Sequence, residues 1–516
     1  MKRRWKIVLG LLLLLLVVAA SLLLTMHVQP QNELEAYKKF LRAQGEKLDL
    51  NEVIRPPAPD ESNAVSAVSD AFNRYDFGLE KLPYAMQMIA PGKAIVGWQQ
   101  PDARNPDFTN TWEEFAKIVA ANEPAIELLH TALVRPRLDF RSESDKDNFL
   151  FNEFTPMRKS VLKLEAATIL ELHNGDTGPA TTNILTILAL VRDNAGEGLL
   201  VSHMVRSTLL ATAFVPTWEF LQATNGTDAQ LAAIQRGWLE LDLLGDAENT
   251  VLATRAWSSL EVEKTRTSHK YFEATLGPVP MPGYGSRSFS RSGWQDFWAS
   301  TTEKPRKTIG EFLWRSSWSY SEELNVLKSE QAILDCYRAM QTNQSQFYKA
   351  DFDRLTSQLL ALAPTNTRAG LLYTLKIPDY RDVFANSSLN TFVTATLVIE
   401  TGRRVAVTAI AIKRFQIRHG REPATLNELT PEFLPAVPID PYDGKPLKYH
   451  PNPDNTYLLY SVGEDGVDDG GNPTNAPSLL GISSPLTWQN PKARDWVWPQ
   501  PATPTEVQYF YEHLPH

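Results

Sequence analysis

Residues Ile7 to Thr25 form a run of 19 with no charged side chain, directly behind Lys2, Arg3, Arg4 and Lys6. As a helix such a run reaches roughly 28 Å, about one hydrocarbon core, so it reads as a spanning helix or as a signal peptide. Val18-Ala19-Ala20 has the small residues of a cleavage site, but Leu22, Leu23 and Leu24 carry the apolar run past it, which favours an uncleaved anchor. Basic residues before the span predict a cytoplasmic stub at 1–6, a transmembrane anchor at 7–25 and everything beyond it outside the cytoplasm. In a two-membrane bacterium this is a single-pass inner-membrane protein with the bulk of its chain in the periplasm.

Apolar residues make up 43% of the chain and charged ones 22%, an ordinary globular balance that excludes disorder and multiple membrane spans. Lys plus Arg total 51 against 60 Asp plus Glu, a net charge of −9, which is the wrong sign for a phosphate backbone, so no nucleic-acid partner is expected. Cys336 is the single cysteine, which excludes an intramolecular disulfide and leaves stability to packing.

Residues 26–110 read as a helical and irregular connector, with helical patterns over Asn32 to Leu48 and Ser62 to Tyr75 and many Gly and Pro breakers from Phe77 to Asn110. A helical body follows over 111–385. Thr111-Trp112-Glu113-Glu114 has capping-box spacing, and Pro124 can open the next helix. Val161 to Leu172 is apolar on nearly all sides, and Asn174 to Pro179 punctuates it before a second run through Val191, which predicts an antiparallel helix pair. Helical runs near Leu199 to Ala223, Thr227 to Leu244 and Glu322 to Met340 continue the pattern, without a fixed repeat. Trp294, Trp298, Trp314 and Trp318 could form a membrane-proximal or ligand-stacking surface, although their spacing better suits the core of an aromatic-rich helix.

Motifs that would carry catalysis are sparse. None of the nine histidines lies in an H-E-x-x-H arrangement, which would place two imidazoles one turn apart for zinc. Glu127 and His130 have the spacing of half a di-iron site, but the chemistry needs two such halves. Ser160 and Lys163 match S-x-x-K without the companion elements of penicillin-recognising enzymes. His269 and Glu273, one turn apart with Arg266 nearby, could be a general base and its orienting carboxylate, or simply a solvated charged face.

The most informative stretch is the last third. Asn386 to His419 is a long helical pattern ended by Gly420 in the C-cap position, and its basic residues, including Arg414 and Arg418, read as a solvated face. Thr425 to Glu428 repeats the capping-box spacing. Asp440 to Lys445 is turn chemistry with Gly444 free to take a positive φ, and Pro446 to His450 with Thr456 to Val462 reads as an antiparallel hairpin. The order of long helix, His419-Gly420-Arg421-Glu422-Pro423, Leu426 with Glu428-Leu429, Asp440-Pro441 and Tyr460-Ser461-Val462-Gly463-Glu464-Asp465-Gly466 resembles the soluble domain of the type II secretion major pseudopilin. The resemblance covers Leu397 to Asn472. It implies a long helix packed on a small antiparallel sheet and a calcium ion in the loop after the last strands, where Asp465, Asp468 and Asp469 could supply hard oxygen ligands; a solvated acidic turn is the simpler reading of the same three residues.

Two departures limit what the resemblance carries. Gly10 is followed by leucines without the early acid of a prepilin site, and Glu422 stands where an aromatic residue is usual. Residues 473–516 hold eight prolines with Trp488, Trp496 and Trp498, and read as an extended tail anchored by tryptophans or as a partner-binding segment. The expected fold is therefore mainly α: an N-terminal transmembrane helix, a helical-hairpin body, and at 386–472 a small pseudopilin-like α+β module with a short antiparallel sheet. The leading expectation for function is an envelope binding or scaffold protein with protein partners. Its rival is an envelope hydrolase with a site in the helical body.

Overall fold

The computed structural model describes residues 10, 28–56, 58–75, 88–90, 92–100, 111–140, 154–194, 198, 200–276, 307–342, 354–355, 357–359, 361, 388–454, 456–474 and 494–513. Except for Gly10, the apolar run Ile7 to Thr25 lies outside them, as do Trp294, Trp298 and Trp488. Among the described residues no helix is long and apolar enough to cross a membrane.

The chain is mainly helical with small sheets. In chain order it forms α1 (28–43), α2 (Leu50–Val53), α3 (Val65–Arg74), β1 (Met88–Ala90), β2 (Lys93–Ala94), α4 (Trp112–Ala120), α5 (Glu123–Ala132), α6 (Phe154–Asn174), α7 (Thr177–Asp193), α8 (Leu200–Gln222), α9 (Asp228–Leu239) and α10 (Leu243–Thr267). There follow α11 (His269–Leu276), α12 (307–313), a π turn Trp314–Trp318, α13 (Ser319–Thr342), α14 (Ser388–His419), β3 (Lys448–Pro451), β4 (Tyr457–Ser461), β5 (Trp496–Val497), β6 (Gln500–Pro501) and α15 (Pro504–Glu512). Two compact units result, one from 1–53, 251–335 and 355–387, the other from 54–250, 336–354 and 388–516, so the 111–385 segment contributes to both.

The larger unit is built on an extended apolar core. The Thr111 hydroxyl accepts from the Glu114 amide while the Glu114 carboxylate accepts from the Thr111 amide, which starts α4 as its spacing predicts. α6 packs against both α7 and α8, and that two-sided burial is why its sequence is apolar nearly all round. α14 packs on α8 and α9, bringing Val405, Ala409, Ile410 and Ile412 into the same core as Phe214, Trp218 and Trp238. The predicted run Thr227 to Leu244 is not one helix: α9 ends at Leu239 and α10 starts at Leu243, where the Asp242 carboxylate accepts from the Gly245 amide as an N-terminal cap does. Arg414 also departs from expectation. It and Arg418 both pair with Asp228, at 2.7 and 2.6 Å, and Arg418 reaches Glu432 as well, so the stripe docks α14 on the start of α9; Arg414 is largely covered there, while Arg418 stays exposed as the solvated-face reading expects.

Strands complete this unit. β3 and β4 form the predicted antiparallel hairpin, and β5 from the tail adds antiparallel to β4. Within the segment read as irregular, β1 and β2 pair antiparallel and β6 joins β2 in parallel. Trp496 and Trp498 are buried, as expected of tail anchors, but the tail also forms α15, opened by a Thr503 and Glu506 capping box.

The smaller unit carries apolar clusters and buried charge side by side. Val262, Phe272, Leu276 and Trp314 form one cluster and Leu34, Leu324 and Leu327 another. Alongside them are buried polar groups: Arg255 is fully enclosed and donates to Gln331, Glu46 and the Lys47 carbonyl, while Glu323 accepts from Ser259 and pairs with Lys38 and Arg266. Buried charges of this kind hold position because each is paired and hydrogen-bonded.

Candidate functional site

A dense group of polar side chains in the larger unit lies where the turn before β3, the loop after β4 and the start of β5 meet. Asp440 opens the turn, and Gly444 takes the positive φ of 67° that its position demands. The buried Asp440 carboxylate accepts from the Tyr442 amide at 2.9 Å, the Val462 amide at 2.8 Å and the Ser461 hydroxyl at 2.8 Å, tying the turn to the end of β4. Burial pushes its pKa up to about 6 in spite of those donors. Asp443 accepts from Lys448 Nζ at 3.1 Å, and that ammonium also lies 3.9 Å from Asp468. Asp495 accepts from the amides of Gly471 and Asn472, both at 2.8 Å, and so closes the acidic loop onto the tail.

Of the three predicted calcium ligands, Asp465 accepts from the Val467 amide, Asp468 from the Tyr460 hydroxyl and the Gly470 amide, and Asp469 sits 3.4 Å from Arg494. Each is engaged by the loop itself or by a neighbouring cation. Among the described residues they are not gathered with one another into a group of three within mutual reach. A site for a hard cation would need them to turn inward together.

The other sequence candidates resolve differently. Ser160 and Lys163 are buried within α6, where Ser160 Oγ donates to the Pro156 carbonyl and Lys163 Nζ to Asn122 Oδ1, so the S-x-x-K match is part of the core. His130 contacts Asn183 at 2.9 Å, while Glu127 is exposed. Arg266 turns to Ser319 and Glu323. His269 and Glu273 do share a face in the smaller unit, and α12 brings them Glu311, whose carboxylate lies 2.7 Å from His269 Nδ1.

Comparison with protein-family models, with curated proteins and with solved structures gave no match. The site is therefore read from its own chemistry. Its polar groups mostly satisfy one another, which makes a rigid edge of turns and loops beside β3 and β4, the kind of surface that binds by shape and charge.

The Thr425 to Glu428 spacing opens only a single 3-10 turn, Leu426–Leu429: Glu428 accepts from the Ala424 amide and pairs with Arg421, but the Thr425 side chain makes no cap. Next to it, Glu422 is half-buried, and its Oε2 has no hydrogen-bond partner among the described residues. Burial pushes its carboxyl up to about 7, against the pull of nearby Lys413. An unfolded glutamate releases its proton near pH 4.5, whereas the folded group holds it until about 7. The folded state then binds more protons across that window, so this group's contribution to stability falls as pH rises from about 4.5 to about 7. Glu422→Gln should flatten that part of a melting-temperature profile, and an unchanged profile would refute the assignment.

Asp440, Asp495 and Glu311 were not singled out as site residues from the sequence. Asp440 stood within a recognised turn word, but nothing local marks it as the acceptor for β4. Asp495 and Glu311 act on partners about 24 and 42 positions away, a distance no short motif spans.

Proposed function

We propose that this chain is a single-pass, membrane-anchored binding or scaffold protein of the bacterial envelope, held in the inner membrane by residues 7–25 and presenting a pseudopilin-like module, residues 386–472, to protein partners in the periplasm. The observation that carries the reading is the architecture of the module. α14 packs against β4, β3 and β4 pair as an antiparallel hairpin, and a network centred on Asp440 fixes the loop edge. This is the arrangement the resemblance implies, and it supports binding over processing or polymerisation because Gly10 lacks the early acid of a prepilin.

The test is crosslinking in intact cells followed by affinity purification and mass spectrometry. Deleting the module would remove α14 from the core, so surface variants are the better comparison. Val467 and Ile417 are exposed, at 55% and 43% of their full area, and Val467→Arg with Ile417→Glu should leave the fold intact. Envelope proteins recovered with the native chain and lost with the double variant are the expected result. The same recovery from both would remove the module as the binding surface.

Calcium in the acidic loop belongs to the same reading. If it binds, the full chain should melt several degrees higher in calcium than in chelator, and Asp465→Ala should abolish the difference. No difference would assign Asp465, Asp468 and Asp469 to the loop's own hydrogen bonds.

A further inference from the structure

We propose that His269, Glu273 and Glu311 form a binding site for one divalent transition-metal ion of the zinc class, a site in the smaller unit that goes beyond the scaffold reading. One ligand atom from each lies within 4.8 Å of the others. His269 and Glu273 are one turn apart on α11 and so share a face, and Glu311 comes from α12. The elements beneath are fixed, since Phe272 of α11 packs on Trp314, three residues beyond Glu311, in one buried cluster. An imidazole nitrogen with two carboxylates is a donor set for zinc and its neighbours in the transition series, whereas calcium and magnesium prefer oxygen throughout.

The His269–Glu311 edge needs only a small adjustment, and Glu273, whose carboxylate lies within 4.8 Å of both, closes on the ion by a side-chain movement. His269 Nδ1 and Glu311 Oε1 are 2.7 Å apart, the distance of a hydrogen bond. Two ligands of a tetrahedral zinc ion at about 2.0–2.1 Å are separated by roughly 3.3 Å, so the ion takes the place of the shared proton and the pair opens by about half an ångström. His269 has 67% of its side chain exposed and can swing to that position. A cation in direct contact with the cluster is Arg315, whose Nη1 lies 3.0 Å from Glu311 Oε1. Its Nε and Nη2 also donate to the carbonyls of Arg266 and Thr267 at 2.7 and 3.1 Å, so the guanidinium stays satisfied at the end of α10 when the ion takes the carboxylate. Three protein ligands leave a fourth position for water or for a donor from a partner.

The experiment is competition of the full-length chain in detergent against a zinc-sensing chelator, with calcium as the control ion. The native chain should take up one zinc that is lost or weakened more than about tenfold in both His269→Ala and Glu311→Gln, retained in Glu263→Gln, which alters an exposed carboxylate of α10 outside the cluster, and not replaced by calcium. No saturable zinc uptake, uptake unchanged in either ligand variant, or equal competition by calcium would each overturn the proposal. Because other histidines can bind zinc adventitiously, the comparison between variants decides the outcome, and none of these readouts depends on the envelope-scaffold reading.

Discussion

Replacing Glu400 by alanine should destabilise the larger unit by about 3–5 kcal/mol, the cost of stranding buried charge. Glu400 is 2% exposed and lies between two guanidiniums of its own helix, Arg403 at 2.7 and 2.8 Å and Arg404 at 2.7 Å. Arg404 also donates to the Ile439 carbonyl at 2.7 Å, so the cluster ties α14 to the turn that leads into β3. Burial alone would push the Glu400 carboxyl up, but the attraction of the two arginines outweighs it and holds the pKa down at about 2. Its folded pKa is below the unfolded value, so the stabilisation is complete above about pH 4.5 and is lost as pH falls through about 2. Urea unfolding, with hydrogen exchange of the α14 amides to localise the loss, measures it. A loss below about 1 kcal/mol would mean that water reaches the cluster once the carboxylate is gone. Glu400→Gln keeps the volume but removes the charge, and should fall between alanine and the native chain.

Trp218→Ala is the second large effect. The indole is fully buried in α8 and its Nε1–H donates to the Pro499 carbonyl at 2.7 Å, so the substitution opens a cavity and also leaves that carbonyl without its donor. A loss of about 3–5 kcal/mol is expected for a buried aromatic reduced to alanine. Trp218→Phe retains most of the packing and loses the hydrogen bond, which should cost about 1–3 kcal/mol. The two variants differ in a second readout. Limited proteolysis should cut within 494–513 in the alanine variant well before the body unfolds, because Trp218 is one of the points where the tail is held. Equal protection of the tail in both variants would show that β5 and β6 hold it unaided.

What could be read in advance follows the reach of the forces involved. The Thr111 box, the α6 and α7 pair, the end of α14 at Gly420, the Gly444 turn and the β3–β4 hairpin were legible because each is decided within a dozen or so neighbouring residues. The partners of Arg414 and Arg418 were not, since Asp228 lies far back in the chain and a basic stripe looks the same whether water or a carboxylate faces it. β1 and β2 are too short to show alternation, and their third strand comes from a segment some 400 residues later. For the candidate sites, His269 and Glu273 stood out as a pair, while Glu311 had no sequence mark that could join it to them. Asp465, Asp468 and Asp469 were visible as an acidic turn, but the cations Lys448 and Arg494 beside two of them were not.

The tail that adds a strand to each sheet also sets an order of events in biosynthesis. β5 and β6 are separated by two residues, yet one completes the β3–β4 sheet and the other the β1–β2 sheet, and between them Pro499 receives Trp218 from 281 positions earlier. Both sheets consequently stay open-edged, and Trp218 unsatisfied, until residue 501 has left the ribosome and, for an exported chain, crossed the translocation channel. Through that interval the earlier helices can pair locally, but the unpaired edges of β2 and β4 offer templates for wrong strands. Wrong pairing in that interval competes with the arrival of β5 and β6, so the delay between the earlier strands and residue 501 sets how long the edges of β2 and β4 stay exposed to it.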